Sequence, residues 1–166
     1  MSLITAFIAE LKHESANTRK MLERLPQDRF SWQPHEKSMS LVQLAAHIAE
    51  IPGMFVAQAL EEPELDFAKA KYTAPVIDST EALLAFFEDN LSRALAALQA
   101  SSEEALSQVW TMRRGETIFA AMPRKVVIRN LGLSHLIHHR GQLSVYLRLA
   151  GVSVPGMYGP SADDRF

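Results

Sequence analysis

The stretch Ser134-His135-Leu136-Ile137-His138-His139-Arg140-Gly141-Gln142 sets three histidines inside a segment whose apolar spacing predicts a helix over about residues 124–150. Pro123 stands near its first turn and Gly151 just past its end, the usual asymmetry of helix termini. At 3.6 residues per turn, Ile128, Leu131, His135, His139, Gln142, Tyr146 and Leu149 fall on one narrow stripe, which the pattern predicts to face the core. Two neutral imidazoles four residues apart on such a stripe lie about 6 Å apart and can converge on one cation. His135 and His139 differ by about 40° around the helix, against about 60° for His135 and His138, so the first pair is the better chelate. His138 then falls on the flank, where its ring can orient a ligand or reach a facing helix.

Three further helices are predicted upstream. The first, over about residues 3–25, places Ile4, Phe7, Ile8, Leu11, Thr18, Leu22 and Leu25 on one face and stops at Pro26. The second opens at Ser40, which has capping-box spacing with Gln43, and turns Leu41, Leu44, Ile48, Ile51 and Phe55 inward. Pro52 removes an internal hydrogen bond and predicts a kink. The third, over about residues 79–100, is entered through Asp78-Ser79-Thr80-Glu81, another capping-box pattern, and faces inward with Leu83, Leu84, Phe87, Leu91, Leu95 and Leu98. Four such helices in 166 residues predict an all-α, single-domain four-helix bundle covering 1–166. The connections 61–77 and 101–122 are too long for simple turns and predict crossovers. In the second, Trp110-Thr111-Met112 and Thr117-Ile118-Phe119 flank Arg114-Gly115 as a small β-hairpin before the last helix. The Pro- and Gly-rich tail from Val154 to Ser161 is expected to fold back over a bundle end.

Composition narrows the function. A net charge of −2 and a pI near 6.3 leave no electrostatic footprint for nucleic acid or an anionic membrane. There is no cysteine, which excludes disulfides, thiolate ligands and a cysteine nucleophile from the chain, so a metal would be held by His, Asp or Glu. No basic leader and no apolar run of membrane-spanning length is seen, so a cytoplasmic location is expected.

His47, midway along the second helix, is the third candidate ligand beside His135 and His139. Three nitrogen donors leave a coordination position for water or substrate, the open arrangement of catalytic sites, and suit Zn, Ni or Fe(II). The ordinary alternative is a hydrogen-bonded core histidine, the commoner fate of a lone histidine on an apolar face. Arg140 can pair with a substrate anion or, more commonly, with a carboxylate of a neighbouring helix, and Gln142 can hydrogen-bond a water at the site or a buried carbonyl. Glu50, three residues after His47, points away from the apolar stripe and is a poor candidate base. His13 reads as half-exposed, His35 as a loop residue, and Trp32 and Tyr158 as packing residues at bundle ends. There is no His-Glu-x-x-His, no pair of Glu-x-x-His motifs, no nucleophile elbow and no glycine-rich phosphate loop.

His135-Leu-Ile-His138-His139-Arg140-Gly141-Gln142-Leu143, then Tyr146-Leu147-Arg148, Gly151-Val-Ser-Val-Pro155 and Tyr158-Gly159-Pro160-Ser161-Ala162-Asp163, closely resembles the C-terminal signature of DinB-like proteins. Leu25-Pro26, Trp32, Pro34, Lys37-Ser38-Met39-Ser40 and Leu44-Ala45-Ala46-His47 resemble the family's first loop and second helix. The resemblance implies a crossover four-helix bundle, a divalent metal on three histidines matching His47, His135 and His139, and a homodimer. Related members with assigned activities are metal-dependent transferases and isomerases that use a low-molecular-weight thiol such as mycothiol or bacillithiol. The expectation is therefore an enzyme that activates water or such a thiol for transfer or hydrolysis on a small molecule. A noncatalytic metal-binding, stress-response bundle or interaction module is the alternative. The family name's association with DNA damage implies no DNA binding.

Overall fold

Serine hydroxyls open three of the four main helices in the computed structural model, which describes residues 2–70 and 73–164. Helix α1 spans Leu3–Leu22, with Ser2 accepting from the Thr5 N–H. Helix α2 begins at Leu41 under the full capping box, the Ser40 hydroxyl accepting from Gln43 N and the Gln43 side chain accepting from Ser40 N. Helix α3 spans Thr80–Ala100, and its cap is Ser79, which accepts from Ala82 N; with alanine at that third position the cap is one-sided, not the capping box expected from Asp78 and Glu81. Such caps are worth about 1 kcal/mol each because they satisfy otherwise orphaned N–H groups.

Both helices that carry the histidines widen into π turns. In α2 the α-helical Leu41–Ile51 passes into a π segment, Pro52–Ala57, before Gln58–Glu61. The kink expected at Pro52 takes this form, since a proline without an N–H already breaks the regular ladder there. Helix α4 comprises Arg124–Val127, a π segment Ile128–Ser134 and the α-helical His135–Leu149, and it ends at Gly151, whose φ is +77°.

The π segment of α4 overturns the stripe read from the sequence. The buried pair Val127 and Ile128 recurs five residues on, at Gly132 and Leu133, and helical spacing then resumes at Leu136, Arg140, Leu143 and Leu147. A wider turn rotates everything after it, so the histidine stripe becomes a flank: His135 and His139 are half-buried, Gln142 is exposed and Leu149 is 62% exposed.

The main packing pairs are α1 with α3, α3 with α2, α2 with α4, and α4 with α1. This closes a ring in which the consecutive helices α1 and α2 lie across a diagonal, the crossover architecture expected for the long connections. The two π segments meet at close range: a Cβ on Gly132 would lie 2.8 Å from Val56 Cγ2. Leu44, Ile48, Ile51, Phe87, Trp110, Leu136, Leu143 and Leu147 form the larger core cluster, and Phe7, Leu11, Val56, Leu98, Leu106, Ile128 and Leu133 the smaller.

The connections carry a small sheet. The expected hairpin forms from β2 (Val109–Arg114) and β3 (Thr117–Pro123), with Gly115 at φ +55° in its turn and a register shift between Met112 and Arg113. The first crossover adds β1 (Glu64–Asp66) parallel to β2, which sequence patterning did not anticipate in so short a stretch. Asp66 anchors it: one carboxylate oxygen accepts from Gly115 N and Ala68 N, both at 2.9 Å, and these bonds hold its carboxyl below the usual carboxylate range.

The tail folds back onto the bundle through Tyr158. Arg140, 2% exposed, donates to Glu14 Oε2 at 2.6 Å, to the Glu14 carbonyl and to Thr18 Oγ1, and also to the Tyr158 hydroxyl, which itself donates to Glu14 Oε2 at 2.7 Å. Tyr158 is thus more than the packing residue expected from sequence; its hydroxyl completes a buried ion pair joining α1, α4 and the tail. Among the described residues no helix is long and apolar enough to cross a membrane.

Candidate metal centre

Helix α2 presents His47, and the α-helical part of α4 presents His135 and His139, on facing flanks. One ligand atom from each lies within 4.8 Å of the other two. The ε nitrogens make the closest approaches: His47 Nε2 is 3.4 Å from His135 Nε2, which is 2.8 Å from His139 Nε2.

The δ nitrogens explain why the ε nitrogens point inward. His47 Nδ1 is 2.8 Å from Glu50 Oε1, His135 Nδ1 is 3.3 Å from the Leu131 carbonyl, and His139 Nδ1 is 2.7 Å from Gln142 Oε1. Each partner is an oxygen that can only accept, so each Nδ1 carries the proton and each Nε2 a lone pair. Three lone pairs directed at one point repel unless a cation lies among them. Metal–nitrogen bonds of about 2.0–2.1 Å in a tetrahedral set place the nitrogens about 3.4 Å apart, the separation of His47 and His135, while His135 and His139 stand closer, at 2.8 Å. The residues present therefore fit a divalent ion, and the group could hold one.

The π turn contributes here as well. The His135 N–H bonds the carbonyls of Asn130 and Gly132, not the Leu131 carbonyl an α-helix would use, and so Leu131 is free to accept from the imidazole. Charge state also suits ligation. Burial, reinforced by the charges His139 and His47 would carry, pushes His135 down to about 4. Burial lowers His139 too, partly opposed by the Gln142 hydrogen bond. Both are neutral near pH 7.

The other sequence candidates separate cleanly. Gln142 supports His139 directly. His138 is exposed, its ring edge-on to that of His139 at 4.9 Å between centroids. Arg140 faces away, into the Glu14 ion pair. His13 and His35 are exposed and stay out of the cluster, and Trp32 packs edge-on against Tyr146. Glu50 corrects the sequence reading: it is buried and supports His47. The missed signal was spacing, because Glu50 follows His47 by three residues as Gln142 follows His139, which places an acceptor beside each ring on its own helix. Two recesses adjoin the cluster. One of about 530 Å³ has His47 and Glu50 in its wall. The other, about 470 Å³, has His139 and Gln142 in its wall. Met39 borders both.

A helical bundle with three converging imidazoles defines a class, and comparison with known proteins names it. The DinB family model matches residues 1–165, so this chain belongs to the DinB family. It is 27% identical over 162 residues to the uncharacterized protein YrdA of Bacillus subtilis (strain 168), covering 95% of this chain and 89% of YrdA. The uncharacterized protein YjoA of the same organism is 29% identical over 144 residues, 85% of this chain and 86% of YjoA. Among solved structures, a DinB-like protein from Bacillus cereus ATCC 10987 matches with TM-score 0.69 at 25% identity, over 92% of this chain and 95% of that one. The YjoA crystal structure matches with TM-score 0.73 at 21% identity, over 94% of this chain and 99% of that one, and so speaks to the fold.

Proposed function

We propose that His47, His135 and His139 bind one divalent ion, Zn, Ni or Fe(II), and that the protein is a metal-dependent enzyme acting on a small molecule. The convergence of three ε nitrogens, each fixed by an oxygen at its δ nitrogen, carries this reading. When bound, the ion would act as a Lewis acid and lower the pKa of a water or low-molecular-weight thiol at a fourth position. Among the described residues the cluster has three members and no fourth His, Asp or Glu, in keeping with an open site. The chain's own work is to orient: Glu50, the Leu131 carbonyl and Gln142 hold the tautomers, while α2 and α4 set the spacing. With no cysteine in the chain, a reacting sulfur would come from the cosubstrate.

In this reading the protein is a cytoplasmic homodimer that binds neither nucleic acid nor membrane, and sedimentation of the purified chain checks its assembly. The decisive experiment is metal analysis of protein purified without an affinity tag, followed by thiol-transfer assays with glutathione, bacillithiol and mycothiol against an electrophile panel. His139→Ala serves as control. One divalent ion per chain, lost in that variant together with turnover, is expected. Absence of a stoichiometric ion would remove the basis of the proposal, and turnover without any thiol would assign the reaction to water.

A further inference from the structure

The larger recess beside His47 has a wall of definite chemistry. Met39, Val42 and Ala46 form one side and Pro75 and Ile77, from the segment before α3, form the other. Its volume, about 530 Å³, lies within the range of about 300–1,000 Å³ usual for small-molecule sites. The polar groups on the wall are Gln43, His47 and Glu50, and the carboxylate of Glu50 is turned to His47. Among the described lining residues there is no lysine or arginine. Arg93, in an adjoining recess that shares Glu50 and Pro75, donates its guanidinium hydrogens to Glu61.

These facts discriminate between ligands. A hydrocarbon or aromatic body placed there loses water against these apolar side chains and Ala74 beside them, at roughly 25 cal/mol per Å² of apolar surface covered. A carboxylate or phosphate would give up its hydration to meet the same side chains and the Glu50 carboxylate. We infer that the substrate of the three-histidine centre carries an uncharged apolar body, which the recess between α2 and residues 74–77 holds beside His47. The inference rests on the metal-centre reading only for the word substrate; the recess and its preference are properties of the metal-free chain.

The test is an NMR titration of metal-free, full-length protein with two probes of one shape, 4-propylbenzyl alcohol and 4-propylbenzoate. The alcohol is expected to bind at least about fivefold more tightly, shifting the Val42 and Ile77 methyl signals. Ala46→Phe fills the recess and should weaken the alcohol by about tenfold or more; a melting curve verifies folding, and Val42→Phe does the same work if that variant is unfolded. Equal or tighter binding of the benzoate overturns the inference, as does an alcohol affinity unchanged in a folded, filled variant. Zinc uptake is measured separately: failure to load zinc with the probe order intact sinks the metal centre and leaves the apolar recess, whereas zinc binding with the order reversed does the opposite.

Discussion

Two faces of helix α4 use polar side chains in opposite ways. On one, His135 and His139 stand half-buried over a cleft, each held through a single bond at Nδ1. On the other, Arg140 is 2% exposed among Leu136, Leu143 and Leu147, and its guanidinium is bonded by Glu14, Thr18 and Tyr158. A buried charge without such partners would be very costly, so the second face stabilises the fold. The first face, whose imidazoles are neutral and open to a ligand, is arranged for binding at little cost to the fold. One helix thus separates stability from chemistry by about a quarter-turn.

The sharpest way to break that separation is Arg140→Ala, which leaves Glu14 buried without its partner. A loss of about 3–5 kcal/mol in urea denaturation is expected, and a loss under about 1 kcal/mol would mean the ion pair does not anchor the bundle. His139→Ala should do the reverse. Metal affinity, read by chelator competition, should fall by at least about 100-fold, since even outer-shell partners are worth about 10–100-fold. The metal-free stability of that variant should stay within about 1 kcal/mol of the parent. Gln142→Ala should weaken the metal by about tenfold, with a smaller effect on stability than any change at Arg140.

The gentlest probe is pH. His135 has a folded pKa near 4 against 6.5 for the ordinary group, so between these values the unfolded chain binds more protons than the native one. Its contribution is fully present above pH 6.5 and is lost as pH falls toward about 4. Melting temperatures of the metal-free protein should decline across that window, less steeply in His135→Asn. A flat profile in the parent would show that burial does not hold this imidazole neutral.

The fold was legible because its signals are local. Ser40 with Gln43, Ser79 before α3, Pro123 and Gly151 mark helix ends through bonds or torsions within a few residues, and apolar spacing marks their inner faces. The trio His47, His135 and His139 was legible for a related reason, since two of its members are four residues apart on one helix. Glu50 was misread because a single inward stripe leaves no place for a residue that is buried beside a cleft. Strand β1 escaped because three residues, Glu64–Asp66, carry no periodicity, and its pairing with β2 is made by a segment some 45 residues downstream.

Residue order by itself determined four amphipathic helices, three of them serine-capped, a hairpin at Arg114-Gly115 and the ring nitrogens available to a cation, since each depends on neighbours within a turn or two. Only the tertiary structure decided which way those nitrogens face. The π segments Pro52–Ala57 and Ile128–Ser134 pack at Gly132 and Val56, and the turn they add to α4 moves His135 and His139 from the core to the cleft and Arg140 from the flank to the core. A change from i−4 to i−5 bonding depends on how two helices fit against each other, and that fit lies beyond the reach of any local pattern.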